Sequence, residues 1–224
     1  MKLVCSEYGL ELELEENKVQ VLLLEKQEIA LTMTESIWKQ SNGEEGIFIL
    51  SDADKIHNIA KEVCVILNVF DINCNDRKIL SKLYQEIALV AQEQMYEEVA
   101  ETNGSIVKFL EDLLQRMSYD LDFQYELDIL GLMKLYEVKI GAEGQNIVER
   151  LIDYIRCMHQ ICRVSYFVFA HLKQYLNTEQ LKMLYEFAMY EKVFLILIEG
   201  VEREKVECEK YWILDKDMCI IDIE

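Results

Sequence analysis

Three strand-sized runs carry almost no polar residue: Val19-Gln-Val-Leu-Leu-Leu, Tyr166-Phe-Val-Phe and Val193-Phe-Leu-Ile-Leu-Ile. A strand without a wet side must be covered on both faces, which happens in a parallel sheet with helices packed on it. Helical patterns separate these runs. Ile29, Met33, Ile37 and Trp38 share one side of a helix over Lys26 to Gln40, closed by Ser41-Asn42-Gly43. A second helix spans Ile147 to Cys162, and a third starts where Thr178 with Glu179 supplies a cap. Strand and helix in alternation predict an α/β fold built on a mainly parallel sheet.

Shorter strands complete the pattern. Leu3 to Tyr8 leads into Leu10, Leu12 and Leu14, which alternate with glutamates and so predict one wet face. Ile47-Phe-Ile-Leu, Val63-Cys-Val-Ile-Leu, Tyr211-Trp-Ile-Leu and Met218 to Ile223 are further short strands. Between them the character changes. Asn75 is placed to cap a helix from Asp76 to about Glu101, with Leu80, Leu83, Ile87 and Val90 on one face and a length of about 40 Å. Asn103-Gly104 is expected to break it, and Ile106, Phe109, Leu110, Leu113 and Met117 form a return helix. A third helix runs through Leu130, Met133 and Lys134. The predicted organisation is an α/β head, residues 1–72 and 137–224, interrupted by an α-helical arm, residues 73–136.

Several function classes are disfavoured at once. The chain has 224 residues and is 51% hydrophobic, enough for a sizeable core, and no apolar run nears the roughly 20 residues a membrane span needs. Met1-Lys-Leu-Val-Cys-Ser-Glu-Tyr lacks the apolar core of a signal peptide, which predicts a cytoplasmic protein. Seven scattered cysteines suit a reducing compartment. Cys157 and Cys162 flank His159 inside a helix, where about 100° per residue sets the two sulfurs roughly 140° apart, a poor start for a zinc site. The first strand-to-helix junction, Leu24-Glu-Lys-Gln-Glu, has no glycine to cradle a phosphate. Gly43/Gly46 and Gly141/Gly144 lack a following Lys-Ser/Thr, so no Walker motif is present. His57, His159 and His171 stand in no nucleophile motif. The expectation is a protein that is not an enzyme.

Tyr119 to Asp128 reads Tyr-Asp-Leu-Asp-Phe-Gln-Tyr-Glu-Leu-Asp. Carboxylates this close repel one another, and a hard divalent ion such as calcium would relieve them. A solvated acidic loop, or acids favoured at a helix N-terminus, accounts for the same residues without a metal.

Leu22-Leu-Leu-Glu without a phosphate loop, Ile47-Phe-Ile-Leu-Ser-Asp, Asp76-Arg-Lys-Ile-Leu-Ser-Lys-Leu-Tyr, the acidic stretch into Ile129-Leu-Gly-Leu-Met-Lys, and Val138-Lys-Ile form the first part of an ordered set. Glu149-Arg-Leu-Ile-Asp-Tyr, Phe167-Val-Phe-Ala-His-Leu-Lys-Gln-Tyr-Leu and Ile213-Leu-Asp-Lys-Asp-Met-Cys complete it. Together they resemble the small CRISPR-associated adaptation protein of type II-A systems, the Csn type, over nearly the whole chain. The resemblance implies a P-loop-ATPase-like α/β head without nucleotide activity, and a helical arm. It also implies a homotetrameric ring that holds double-stranded DNA by its ends, with calcium near the head–arm hinge. On that analogy the chain acts in spacer acquisition beside other CRISPR adaptation proteins and the type II effector nuclease. The calcium role falls on Asp120, Asp122, Glu126 and Asp128, although the stretch lacks the EF-hand glycine and has Gly131 where a bidentate glutamate would stand.

Candidate DNA contacts are Arg77, Lys78, Lys82, Lys108, Arg116 and Lys173. Lys78 and Lys82 share a helix face; ordinary solubilising lysines, or ion-pair partners for Asp76 and Glu86, are the plain alternative. A net charge of −19 opposes DNA binding unless the cations are gathered on one surface. The competing class is an acidic, calcium-responsive protein-interaction module that never touches DNA.

Overall fold

All six residues of the Val19–Leu24 run are buried in the computed structural model, which describes residues 1–53, 55–141 and 144–223. In chain order the strands and helices are β1 (Lys2–Cys5), β2 (Leu10–Glu13), β3 (Val19–Leu24), α1 (Gln27–Ser41), β4 (Phe48–Asp52), β5 (Lys55–His57), α2 (Ile59–Glu62) and β6 (Val63–Ile66). They continue with α3 (Arg77–Gln94), α4 (Tyr96–Leu114), α5 (Ile129–Leu135), α6 (Ile147–Gln160), β7 (Tyr166–Ala170), α7 (Thr178–Glu191), β8 (Phe194–Glu199), β9 (Glu209–Leu214) and β10 (Ile220–Ile223). The chain divides into two compact units, Met1–Cys74 with Ala142–Glu224, and Asn75–Gly141.

The first unit holds a six-stranded sheet in the order β10-β9-β3-β8-β7-β6. Its neighbours from β9 to β6 are parallel, and β10 closes one edge antiparallel to β9. Val21 sits opposite Leu197 and Tyr211, which centres the driest strand. A second, antiparallel sheet has the order β2-β1-β4-β5, and the Leu/Glu alternation of β2 becomes one buried and one exposed face. Its dry side (Leu3, Cys5, Leu10, Leu12) shares a core with Met33 and Ile37 of α1 and with Leu22, Leu24, Ile196 and Trp212 of the large sheet. The alternation of strand residues puts Glu209 and Tyr211 on the face opposite Trp212. There α7 packs, its Tyr185 hydroxyl donating to Glu209 Oε1 at 2.7 Å. The mixed α/β class is therefore the one expected, and the separate antiparallel sheet is the addition.

Several local expectations shift. The cap of α3 is Asp76, whose Oδ1 accepts the Ile79 N–H at 2.9 Å, not Asn75. The Asn75 amide instead exchanges two hydrogen bonds with the Ile140 backbone. Asn177 caps α7 in a reciprocal box with Gln180, while Thr178, the expected cap, donates to Glu204 Oε2 at 2.9 Å. The helical break falls at Met95, and α4 runs straight through Asn103-Gly104. A mid-helix glycine costs only about 1 kcal/mol, which a long amphipathic helix outweighs. Asn103 uses its side chain to donate to the Tyr125 carbonyl at 3.0 Å.

Candidate nucleic-acid interface

The unit Asn75–Gly141 carries α3, α4 and α5. Asp76 fixes the start of α3, so Arg77 and Lys78 occupy its first turn and Lys82 lies one turn on from Lys78. Lys108 is on α4, and Arg116 stands two residues past that helix. All five are exposed. None ion-pairs with a carboxylate among the described residues, Asp76 and Glu86 included. In the other unit Lys2 and the half-buried Lys39 are paired, with Glu11, Glu13 and Glu35, whereas exposed lysines such as Lys18, Lys26 and Lys61 have no ion pair among the described residues.

Lys173 belongs elsewhere and is a correction. It lies in a 3-10 turn, Leu172–Gln174, and is 5% exposed. Its Nζ donates to Glu209 Oε2 at 2.7 Å, to the Tyr211 hydroxyl at 2.6 Å and to the Glu204 carbonyl at 2.8 Å. A buried ammonium survives only with such partners, and one so engaged offers no charge to a ligand at the surface. Around it, burial first and then the Glu209 charge push the Tyr185 and Tyr211 hydroxyls far above the usual tyrosine value. Burial also holds the Glu199 carboxyl above its ordinary value, against the opposing Lys173 N–H and the Lys173 and Arg203 charges. Sequence reasoning missed Glu199 and Glu209, because a glutamate inside an apolar strand looks like any surface acid.

The four acidic candidates are not drawn together. Asp120, Asp122 and Glu126 lie in the irregular segment before α5, and Asp122 Oδ1 accepts the next N–H, of Phe123, at 2.8 Å. Asp128 takes the N-cap position of α5 without a side-chain cap bond; its carboxylate lies over Gly131, where a Cβ would come within 2.5 Å of Oδ2. Among the described residues no three His, Cys, Asp or Glu side chains form a group able to hold a metal. The oxygen donors suit calcium chemically, but as placed they do not make a coordination shell.

Two of the three histidines have structural partners. His57 Nδ1 meets the Glu62 carboxylate at 2.9 Å, and His159 Nδ1 meets the Val164 carbonyl at 2.7 Å. At the β3–α1 junction no glycine-rich loop forms; the Glu25 carboxylate accepts the Lys216 N–H instead.

A sequence profile described as "CRISPR-associated protein (Cas_Csn2)" matches residues 40–218. The chain belongs to the Cas_Csn2 family. It is also 21% identical over 168 residues to the CRISPR-associated protein Csn2 of Streptococcus agalactiae, covering 72% of each chain. Membership gives the chain a CRISPR-associated role, as its resemblance implied. No described helix of this Cas_Csn2 family member is long and apolar enough to cross a membrane.

Proposed function

We propose that this Cas_Csn2 family member is a cytoplasmic, non-catalytic protein that binds double-stranded DNA without regard to sequence. It prefers linear ends, and acts in spacer acquisition beside the other adaptation proteins and the type II effector nuclease. The observation that carries this reading is that Arg77, Lys78, Lys82, Lys108 and Arg116, all in the unit Asn75–Gly141, are exposed and have no ion-pair partner among the described residues, in a chain whose net charge is −19. Unpaired cations are the groups able to replace counterions on phosphate. Assembly as a homotetrameric ring would bring several such sets together. It is supported by α4, which has no buried residue among those described and exposes Phe109 and Leu113.

Calcium belongs to the proposal at Asp120, Asp122, Glu126 and Asp128, where the segment must close further to complete a shell. Bound there, the ion would neutralise carboxylates in the same unit as the cations. Non-catalytic action is supported by the glycine-free β3–α1 junction and by the structural engagement of His57 and His159.

The test is retention of linear and closed circular duplex of one sequence across a salt series, with calcium and with excess EDTA. Affinity should fall steeply with salt, favour the linear form and drop on chelation. Equal retention of both forms removes the threading, unchanged binding in EDTA removes the calcium, and no retention at low salt removes the DNA. That last result favours the protein-interaction module, to which the exposed Tyr119, Leu121 and Tyr125 among the acids would then belong.

A further inference from the structure

Within Asn75–Gly141 a cleft of about 710 Å³ opens between α3 and the stretch from α5 to Lys139. That volume lies inside the roughly 300–1,000 Å³ range of small-molecule sites. One wall is written by helical spacing. Arg77, Ser81 and Gln85 recur every four residues along α3, beside Leu80 and Tyr84 at the same interval. The other wall brings Leu130, Lys134, Val138 and Lys139. The walls are tied together, since the buried Tyr84 hydroxyl donates to the Val138 carbonyl at 2.6 Å and the Asn75 amide pairs with the Ile140 backbone.

Apart from Tyr84 and Asn75, the cleft's polar groups on α3 and its two lysines are unspent. Arg77, Lys134 and Lys139 are exposed and have no ion-pair partner among the described residues. The Ser81 hydroxyl and Gln85 amide have no hydrogen bond there either. They face a single lining carboxylate, Glu137. Three of the seven Lys and Arg residues of this unit therefore line one apolar-floored cleft, in a chain of net charge −19.

Such a surface suits a ligand with an anionic head and a flat, apolar body that carries hydrogen-bonding edges. A fatty carboxylate would leave the Gln85 amide, both donor and acceptor, without a use; a nucleobase uses both. We propose that this cleft binds a nucleotide phosphomonoester. Its phosphate meets Arg77, Lys134 and Lys139, and its base lies against Leu80, Tyr84, Leu130 and Val138. The nucleotide is either free or the 5′-phosphorylated terminus of a strand. The site goes beyond ring-threaded duplex binding and stands or falls separately from it.

The experiment is calorimetric titration of the full chain with AMP, adenosine and inorganic phosphate, followed by displacement of AMP by duplexes with 5′-phosphate or 5′-hydroxyl ends. AMP should bind about tenfold or more tightly than adenosine, the loss expected when a charge-assisted contact is deleted. The double variant Lys134→Ala/Lys139→Ala should lose AMP by a further factor of about ten or more, while Lys26→Ala/Lys61→Ala, in the other unit, should match the parent. All four positions are exposed, and thermal melts of the variants check that folding is intact. Displacement by the 5′-phosphate duplex alone assigns the phosphate to DNA ends; displacement by neither duplex assigns it to free nucleotide. Equal binding of AMP and adenosine overturns the proposal, as does equal loss in both double variants or silence of AMP together with indifference to the end phosphate. Loss of duplex retention with AMP binding intact sinks the threading reading alone.

Discussion

Replacing Lys173 by methionine keeps the length and apolar stem of the side chain and deletes its charge. The Glu209 side chain, fully buried, then loses its only ion-pair partner among the described residues and keeps the Tyr185 hydroxyl at 2.7 Å and the Val206 N–H at 2.8 Å. Removing one member of a buried pair costs about 3–5 kcal/mol, and the two surviving donors put Lys173→Met at the lower end, about 3 kcal/mol. For a chain of this size each kcal/mol moves the melting temperature by about 2–4 °C, so the fall should be about 6–12 °C. Urea unfolding at neutral pH of Lys173→Met, Glu209→Gln and the double variant measures the pair directly. Because the double variant buries no unpaired charge, its loss should be smaller than the sum of the single losses by at least about 1 kcal/mol. Below all the melting points, duplex binding should match the parent, since this lysine never reaches the surface. Additive losses, or a single variant within about 0.5 kcal/mol of the parent, would refute the reasoning.

Three other outcomes are expected. Lys78→Ala/Lys82→Ala should lower the slope of log affinity against log salt for duplex by about 2, whereas the ion-paired Lys2→Ala/Lys39→Ala should leave it unchanged; a gel-shift salt series separates them. Glu199→Gln should stabilise the protein near neutral pH. Burial raises the carboxyl above its usual 4.5, so the ionised form costs stability that returns as pH falls through the raised value; the gap in melting temperature should close by about pH 4.5, and a gap constant with pH would contradict this. Gly46→Ala should cost about 1–3 kcal/mol by denaturant unfolding, because its Cβ would fall 2.5 Å from the Gln40 side chain, which clamps both backbone groups of Phe48.

Local chemistry was read more easily than its exact position. Asn75 and Asp76 are both good caps, as are Asn177 and Thr178, and each time the structure uses the neighbour. The reason is packing, which sets the start of a helix among residues of nearly equal propensity. The Asn103-Gly104 break failed for a related reason. Propensity is worth about 1 kcal/mol, while the apolar face of α4 is continuous across it. The second sheet was invisible because β1 pairs with β4 across more than forty residues, and strand order is a property of non-local contacts.

The amino-acid order alone determined the α/β class, since runs such as Val19–Leu24 have no stable place except between two covered faces, and it supplied the cations and carboxylates from which any site must be made. Tertiary structure decided which of them are available. Lys78 and Lys173 are the same residue type, yet one is exposed and the other is enclosed by Glu209 and Tyr211. Likewise Lys134 and Lys139 join Arg77 around one cleft although more than fifty residues separate them in sequence. Pairing, burial and convergence depend on distances through space, and those are fixed only when the elements pack.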